Sequence, residues 1–310
     1  MINRREFVAA SAGIIAGASW STQVKAEQGS RTRLILLGTG GGPRPRKSVA
    51  ASSQVIIVNG VAYVIDCGDG VARQMASAGV PVTALRHIFI THHHSDHNAD
   101  YGNLISLSWV VGRHTRLDTW GPPPLEQITR LFLEMSATDI NTHIADEGHP
   151  PLAPLVHAHE IKKAGAVMND ENVKVTAAVV SHPLIKDALA YRFDCPDRSI
   201  VISGDTAPSD NLIRLARGAD VLVHEAMYLP ALDRVLARTE GAPRLRKHLL
   251  DSHTSAEDAG RVAQAAGVKL LVLSHLVPAD DPAVTDQNWI DAASVHFRGR
   301  VIVGKDLMEI

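Results

Sequence analysis

A short segment of the chain, residues 91–97, concentrates side chains of the types that bind metal ions. It reads THHHSDH, so His92, His94, Asp96 and His97 form an H-x-H-x-D-H pattern directly after an apolar run. Imidazole and carboxylate groups suit zinc and similar divalent ions. Because residues two apart in an extended backbone point the same way, His92 and His94 can bind one ion together. Asp96 and His97 then fall on the far side of the turn, where they can hold a second ion.

Further candidate ligands follow three other apolar runs of the chain. These runs and the residues that close them are 173–180 with His182, 199–202 with Asp205, and 270–273 with His275. Each run has the composition of a buried strand that delivers a side chain at its C-terminal end. A single histidine in such a place is usually structural. With the run before His92, four runs end in the same chemistry, which instead predicts one shared metal site.

The order of these residues resembles the metallo-β-lactamase superfamily of two-metal hydrolases. The likeness covers nearly all of residues 31–310 and includes the glycine-rich segment 36–42 and the segment VIDCG at 64–68. It implies an α/β fold, a four-layer αββα sandwich with both metals at one edge. It also implies two divalent ions, zinc in the first place, with manganese or iron as alternatives. The resemblance divides the ligands into His92, His94 and His182 for one ion, Asp96, His97 and His275 for the other, and Asp205 as the bridge.

Two further motifs narrow the branch of this superfamily. His224 and Glu225 lie in a V-H-E-A-M segment after an apolar run, and His253 and Thr254 precede a predicted helix. This pair resembles the ribonuclease Z, phosphodiesterase and arylsulfatase side of the superfamily. Two alternatives stay open at this point. His224 and Glu225 can be a polar strand end, and His253 can be a neighbour of a helix cap with no catalytic role.

The resemblance also implies a mechanism, in which a hydroxide that bridges the two ions attacks the ester centre. The candidate catalytic residues are Asp96, Glu225 and His253. His253 would protonate the leaving oxygen, and Glu225 would orient His253 or a metal ligand. Asp66 is expected to hold the H-x-H loop in a similar way.

Composition and spacing restrict the class of substrate that the sequence predicts. Hydrophobic residues at 45% and charged residues at 21% are typical of a folded domain, and the net charge of −2 offers no electrostatic attraction for nucleic acid or anionic membrane. Ribonuclease Z-like enzymes that process tRNA carry a long arm between the equivalents of His182 and Asp205, where this chain has only 22 residues. We therefore expect a small-molecule phosphodiester or aryl sulfate ester as substrate, and no nucleic acid. The alternatives are a lactonase or β-lactam hydrolase and a catalytically silent binding protein, and a homodimer stays open.

The N-terminal residues predict a separate targeting segment. Arg4 and Arg5 precede a modest apolar run at 8–20, and Ala26 ends a segment of the kind that a signal peptidase reads. This resembles a twin-arginine signal peptide at 1–26 and implies a periplasmic protein. An amphipathic helix or a retained anchor is the alternative. After residue 31 no uncharged apolar stretch reaches 18 residues, so no membrane contact is expected after cleavage.

The elements that must position these side chains alternate between strands and helices. Strands are predicted near 33–38, 54–58, 61–65 and 86–90, and helices at 125–135, 211–216 and 256–266. Residues 109–113 are compatible with helix or strand, and 139–171 are predicted to be rich in loops. The histidines of that loop-rich part, predicted at the surface or beside the ligands without binding metal, are His143, His149, His157 and His159. Cys67 and Cys195 are predicted to be free thiols, with a disulfide as the alternative.

Overall fold

The computed structural model describes residues 32–237 and 241–310, so the predicted signal peptide lies outside the described residues. Fourteen strands are present in this part of the chain: β1 Arg33–Gly38, β2 Ser53–Val58, β3 Val61–Ile65, β4 Leu85–Phe89, β5 Leu117–Gly121, β6 Val156–Glu160, β7 Gly165–Asn169, β8 Lys174–Val179, β9 Leu189–Asp194, β10 Ser199–Ile202, β11 Val221–Met227, β12 Leu270–Val277, β13 Arg300–Val303 and β14 Met308–Glu309. The helices of the same part are α1 Val71–Ser77, α2 Ser95–Asn98, α3 Tyr101–Val110, α4 Leu125–Met135, α5 Ala137–Glu147, α6 Asp210–Ala216, α7 Leu232–Leu236, α8 Ala242–Ser252, α9 Ala256–Ala266 and α10 Asp286–Ser294.

The strands form two seven-stranded mixed sheets of similar design. Their orders are β14-β1-β2-β3-β4-β5-β6 and β13-β12-β11-β10-β9-β8-β7. Each sheet has antiparallel pairs on one side and four consecutive parallel strands on the other, β3 to β6 in the first and β10 to β13 in the second. Parallel strands end at the same edge of a sheet. Side chains that follow β4 in one sheet and β10 in the other are therefore delivered to one edge of the molecule.

The inner faces of the two sheets pack against each other. Along β1, Leu34 and Leu36 belong to the core between the sheets, whereas Ile35 and Leu37 belong to the core beneath the helices. This alternation follows from the period of two in a strand. Phe89 of the first sheet lies between the sheets, with its ring centroid 5.4 Å and 5.1 Å from the rings of Tyr191 and Phe193 of the second.

Helices cover both outer faces. Buried residues of α1, α3 and α4 pack on the first sheet, and buried residues of α6, α9 and α10 pack on the second. The predicted four-layer αββα sandwich is therefore confirmed. Within the described ranges, every helix is too short or too polar to cross a membrane.

Most predicted elements are present with bounds close to the expected ones. The ambiguous segment 109–113 contains the end of α3 and the turn that follows it. The prediction that 139–171 is rich in loops was wrong, because this range holds most of α5 and all of β6 and β7. Helix α5 buries only Ile140, so it lacks the apolar stripe by which a helix is recognised in a sequence. Cys67 and Cys195 are free thiols as predicted, the first buried and the second half-buried.

Candidate metal centre

The H-x-H-x-D-H segment crosses from a strand end into a short helix. His92 and His94 follow β4 in extended backbone, and Asp96 and His97 lie in the single turn of α2. The change from extended to helical backbone separates the two pairs, which points them to two neighbouring positions. The expected spatial division of this segment is thus explained by its local structure.

Asp66 supports this segment through hydrogen bonds. It follows β3 in the left-handed region at φ 59°, and its carboxylate accepts hydrogen bonds from Thr91 N at 2.8 Å and Thr91 Oγ1 at 2.9 Å. The same carboxylate accepts a hydrogen bond from His97 Nδ1 at 2.8 Å. The predicted contact between Asp66 and the loop is confirmed. Because Nδ1 of His97 donates to Asp66, its Nε2 lone pair faces the centre.

The second sheet supplies single side chains from separate strand ends. His182 follows β8, and Asp205 follows β10 through a turn at Gly204 with φ 59°. A Cβ atom at Gly204 would lie 2.7 Å from the Leu189 carbonyl oxygen, so glycine is required there both by conformation and by space. His182 Nδ1 donates to the Ser252 carbonyl at 3.0 Å, which again turns Nε2 toward the centre.

His275 is directed to the centre by an irregularity within its strand. The sequence pattern indicated a strand that closes before this residue, but β12 continues through Val277. Glu225 of β11 pairs with Ser274, and the next residue of β11 pairs with Leu276, so His275 is an extra residue in the ladder. Its φ of 44° is the mark of this bulge. The bulge turns the imidazole out of the sheet and toward Asp205.

The side chains expected to hold the first ion face one another. His94 Nδ1 lies 3.1 Å from His92 Nε2 and 3.2 Å from His182 Nε2. His92 Nε2 lies 3.9 Å from Asp205 Oδ2. Ligand atoms about 2.0–2.1 Å from a tetrahedral zinc ion lie roughly 3.3 Å apart. The observed separations are close to this value, so one divalent ion fits between these four residues.

The side chains expected to hold the second ion have similar separations. Asp205 Oδ1 lies 3.3 Å from His97 Nε2, and Asp205 Oδ2 lies 3.2 Å from His275 Nε2. Asp96 Oδ2 lies 3.2 Å from His275 Nε2 and 3.7 Å from His97 Nε2. Asp205 is shared by both groups and is the only member common to them among the described residues. The structure therefore brings all seven predicted ligands together in the predicted division.

Buried atoms without partners support the fit to metal. His97 Nε2 and Asp205 Oδ1 are buried and have no hydrogen-bond partner in the described part of the chain. An unsatisfied buried polar atom is costly unless another group, such as an ion, satisfies it. Both atoms face the gap that the second ion would fill. The chemistry and the geometry of the residues thus fit a pair of divalent ions.

The electrostatics of the centre also favour cations. Burial lowers the pKa of His182 to about 4 and lowers that of His92 well below its usual range, which keeps these imidazoles neutral. Burial alone would raise the pKa of Asp205, but the His275 and His97 imidazoles hold it well below its usual range. Burial opposes a charge on His97, yet three carboxylates, those of Asp205, Asp66 and Asp96, raise its pKa. The same three carboxylates would stabilise a divalent cation bound at Nε2 of His97 in place of that proton.

Glu225 and His253 form a pair at the rim of the centre. His253 Nδ1 donates to Glu225 Oε2 at 2.8 Å, and Glu225 Oε1 accepts from Thr206 N at 2.6 Å. The predicted contact between Glu225 and His253 is thus present, and Glu225 also holds the turn that carries Asp205. Burial would lower the pKa of His253, but the Glu225 carboxylate raises it to about 9. His224 is buried beside them and its Nδ1 contacts the Glu225 carbonyl oxygen, so it belongs to the strand and not to the cavity.

A cavity of about 390 Å³ opens onto these groups. Its floor includes His94, Asp96, Asp205, His253 and His275. One wall is apolar and comes mainly from α7, α8 and the end of β12, with Val235, Leu245, Leu249, Val277 and Pro278. The lining also includes Arg44 and Arg46, together with Asp280. The cavity thus combines an apolar wall, two guanidinium groups and the candidate metal centre.

Sequence reasoning gave no role to several residues of this cavity. Gly42 N donates to Asp96 Oδ2 at 2.8 Å, and a Cβ atom at Gly41 would lie 2.7 Å from His275 Nδ1. The run of glycines at 40–42 was the available signal, since a close backbone approach requires glycine. His248 of α8 also lines the cavity, with its ring centroid 5.8 Å from that of His182. No local pattern marks His248 or Arg46, because their elements are placed by tertiary packing.

The remaining predicted histidines lie elsewhere. His159 of β6 stacks on Trp120 at 4.0 Å between ring centroids, and its Nε2 lies 2.7 Å from Asp118. His157 occupies the same edge strand and is half-buried. His143 and His149 lie together at the end of α5, in a group of their own. None of these four lines the cavity.

Comparisons with known proteins agree with this architecture. The family model described as the beta-lactamase superfamily domain matches residues 62–276. Ribonuclease Z of Mycobacterium bovis (strain BCG / Pasteur 1173P2) is 33% identical over 281 residues, which cover 89% of this chain and 97% of that protein. Ribonuclease Z of Mycobacterium tuberculosis (strain ATCC 25618 / H37Rv) is 31% identical over the same length, with the same coverage.

Solved structures show the same fold. The metallo-beta-lactamase fold protein YhfI from Bacillus subtilis superposes with a TM-score of 0.67 at 22% identity, covering 90% of this chain and 98% of that chain. The short form of human tRNase Z gives a TM-score of 0.65 at 21% identity, with the same coverage of both chains.

Proposed function

Because the chain belongs to the metallo-β-lactamase superfamily of metal-dependent hydrolases, we propose that it cleaves a small phosphodiester or aryl sulfate ester. One observation carries the proposal. Two groups of candidate ligands share Asp205 and open onto a cavity that has His253 at its rim. In this proposal a bound metal pair and the proton donor His253 would face the same space.

The proposed ligands are those that the structure brings together, with His92, His94, His182 and Asp205 around one ion and Asp96, His97, His275 and Asp205 around the other. Bound ions, with zinc proposed ahead of manganese or iron, would supply an activated water and neutralise charge on the ester oxygens. Asp205 would set the distance between the two positions. The hydrogen bonds from His97 to Asp66 and from His182 to the Ser252 carbonyl orient the imidazoles for this task.

His253 is the proposed proton donor to the leaving oxygen. Its Nδ1 hydrogen bond to Glu225 fixes the ring, and the ring lines the cavity. Nε2 is therefore the atom available to a substrate. Glu225 is a positioning residue in this proposal, because it contacts His253 and the Asp205 turn but is absent from the cavity lining.

The shape and charge of the cavity support a small anionic ester. A volume of about 390 Å³ is in the range of small-molecule sites. The guanidinium groups of Arg44 and Arg46 favour an anion, and the apolar wall favours an aryl or other apolar group. The 22 residues between His182 and Asp205 are occupied by the hairpin of β9 and β10, so this segment has no room for a long arm.

An RNA phosphodiester is the second candidate. The relatives at 31–34% identity are named ribonuclease Z, and RNA cleavage by such a protein is also phosphodiester hydrolysis. We favour the small substrate because the net charge of −2 gives the chain no general attraction for a polyanion. Both candidates use the same centre, so they differ in what is bound and not in which residues react.

A substrate panel tests the proposal. The zinc-loaded protein is assayed with an aryl phosphodiester, an aryl sulfate, a lactone, a β-lactam and a precursor tRNA, and Asp205→Asn controls for contaminating hydrolases. We expect turnover of the phosphodiester or the sulfate to exceed that of the lactone and β-lactam. Efficient β-lactam cleavage with neither ester cleaved would overturn the proposal. Specific cleavage of the precursor tRNA with no small ester cleaved would favour the second candidate.

We also propose export by the twin-arginine route, from the arginine pair at Arg4 and Arg5. The route recognises the arginine pair and not only its charge. The double substitution of Arg4→Lys and Arg5→Lys should therefore leave the protein uncleaved in the cytoplasm. Normal periplasmic levels of this double variant would show that the assignment is wrong.

A further inference from the structure

A separate group of metal-ligand side chains, outside the cavity, lies at the end of α5. It occupies the segment His143-x-x-x-Glu147-Gly148-His149. His143 and Glu147 are four residues apart, so they lie on the same face of the helix. Gly148 ends the helix in the left-handed region with φ 74°. This turn brings His149 back toward the helix, where its backbone N–H donates to the His143 carbonyl at 3.4 Å. A local stretch of chain thus places two imidazoles around one carboxylate.

The inner atoms of this group have the spacing of metal ligands. Glu147 Oε1 lies 2.9 Å from His143 Nδ1, and Glu147 Oε2 lies 3.2 Å from His149 Nε2. All three ligand atoms lie within 4.8 Å of one another. Ligands of a tetrahedral zinc ion lie roughly 3.3 Å apart, so small side-chain rotations would admit an ion.

The outer nitrogens of both imidazoles have partners of their own. His143 Nε2 lies 3.5 Å from Asp139 Oδ1, and His149 Nδ1 lies 3.2 Å from His114 Nε2. A neutral His143 has one N–H, yet carboxylates face both of its nitrogens. An ion at the inner nitrogen would resolve this conflict, because the outer N–H could then donate to Asp139. An outer partner of this kind is the usual support of a metal-bound histidine.

The two rings are also fixed by packing. Trp109 of α3 is fully buried, and its ring centroid lies 4.9 Å from His149 and 5.9 Å from His143. Trp109 Nε1 donates to the Pro150 carbonyl at 2.9 Å, which holds the residue after His149. The side chains of His143, His149 and Glu147 are 23%, 12% and 50% exposed, so an ion can enter from solvent.

We infer that His143, Glu147 and His149 form a third divalent-metal site, separate from the cavity and suited to zinc. Two imidazoles and a carboxylate are a ligand set that binds zinc, and an open position would remain for water or His114. An ion there would join the end of α5 to the chain segment that packs on Trp109. The inference does not depend on the proposed hydrolase function, because none of its residues lines the cavity.

Zinc content tests this inference. The mature protein is saturated with zinc, dialysed and analysed for metal, together with His149→Ala and Glu147→Gln. The control is His296→Ala, which removes an exposed histidine that contacts a single carboxylate, Glu257, at 3.0 Å. We expect three ions per chain in wild type and in the control, and two in each test variant. Glu147→Gln keeps the size of the side chain, so it covers the case in which His149→Ala does not fold.

The outcomes separate this site from the central one. Equal zinc contents in wild type and in folded test variants would overturn the third site. If wild type holds a single ion and both test variants hold none, the third site stands and the dinuclear centre fails. A zinc-induced rise in Tm should also be smaller in His149→Ala than in His296→Ala, because a bound ion stabilises the folded state.

Discussion

The two halves of the sandwich supply the candidate metal centre in different ways. The first half delivers four ligands from one segment, residues 92–97, at the junction of β4 and α2. The second half delivers its ligands singly, with His182 and Asp205 after two strand ends and His275 from the bulge within β12, and adds His253 from the loop before α9. In the first half, local backbone sets the geometry. In the second half, the register and twist of a whole sheet set it.

This difference predicts how each half responds to substitution. A ligand of the loop would contact one bound ion, whereas Asp205 would contact both. The second half also supplies His253, the proposed proton donor, and the apolar wall of the cavity. We therefore expect substitutions in the second half to cause the largest losses of activity and bound metal. Substitution of a residue that supports a ligand or a substrate group indirectly should cause smaller losses.

Asp205→Ala should have the largest effect. Its carboxylate is the only group shared by both ligand sets in the described structure, so its loss should release or weaken both ions. His94→Ala, in the loop, should cost one ion. We expect Asp205→Ala to lower kcat/KM by more than the ~10²–10⁴-fold typical of losing a general acid. Metal analysis and kinetics on the folded variants check this, and two tightly held ions in Asp205→Ala would contradict the bridging role.

His253→Ala should follow, with a loss of about 10²–10⁴-fold in kcat for a substrate whose leaving group is poor. The loss should shrink as the leaving group improves, because a good leaving group needs little protonation. Metal content should stay at the wild-type value, since His253 belongs to neither of the two four-residue groups proposed to hold the ions. The measurement is a plot of log kcat against leaving-group pKa for both proteins. Parallel lines would remove His253 from this role.

Asp66→Asn should have an intermediate effect, of about 10–100-fold in metal affinity. Asp66 accepts hydrogen bonds from Thr91 and His97, and an amide in its place cannot accept all of them. The loop would then lose its support although every ligand is retained. Zinc titration against a competing chelator measures the change. Asp69→Asn, at an exposed neighbour, is the control and should leave affinity unchanged.

The same contrast explains what could be predicted from the sequence. The loop ligands stand in one short pattern. The apolar runs predicted individual strands and helices, and the family resemblance implied the sandwich. His182 and Asp205 followed strand ends, where a ligand type was visible. The bulge at His275 was not visible, because it depends on the pairing of β11 with β12. Helix α5 was missed because it buries little, and with it the grouping of His143 and His149.

The apolar wall was the least predictable part, and Leu245→Ala tests it with the smallest expected effect. Leu245 of α8 is half-buried and lines the cavity, at a distance along the chain from every ligand motif. Removing its side chain should cost about 1–2 kcal/mol of binding to an aryl ester, or roughly five- to thirtyfold in KM. An unchanged kcat is expected, because such a contact stabilises the bound ground state and the transition state equally.

Leu250→Ala is the matched control for this prediction. Leu250 lies on the same helix, is 47% exposed and does not line the cavity, so its loss should leave KM unchanged. An alkyl ester of similar charge should respond less to Leu245→Ala than the aryl ester does. If both substitutions leave the KM of the aryl ester unchanged, the wall does not contact the substrate. The second half would then supply the chemistry of the centre without the specificity that we assign to it.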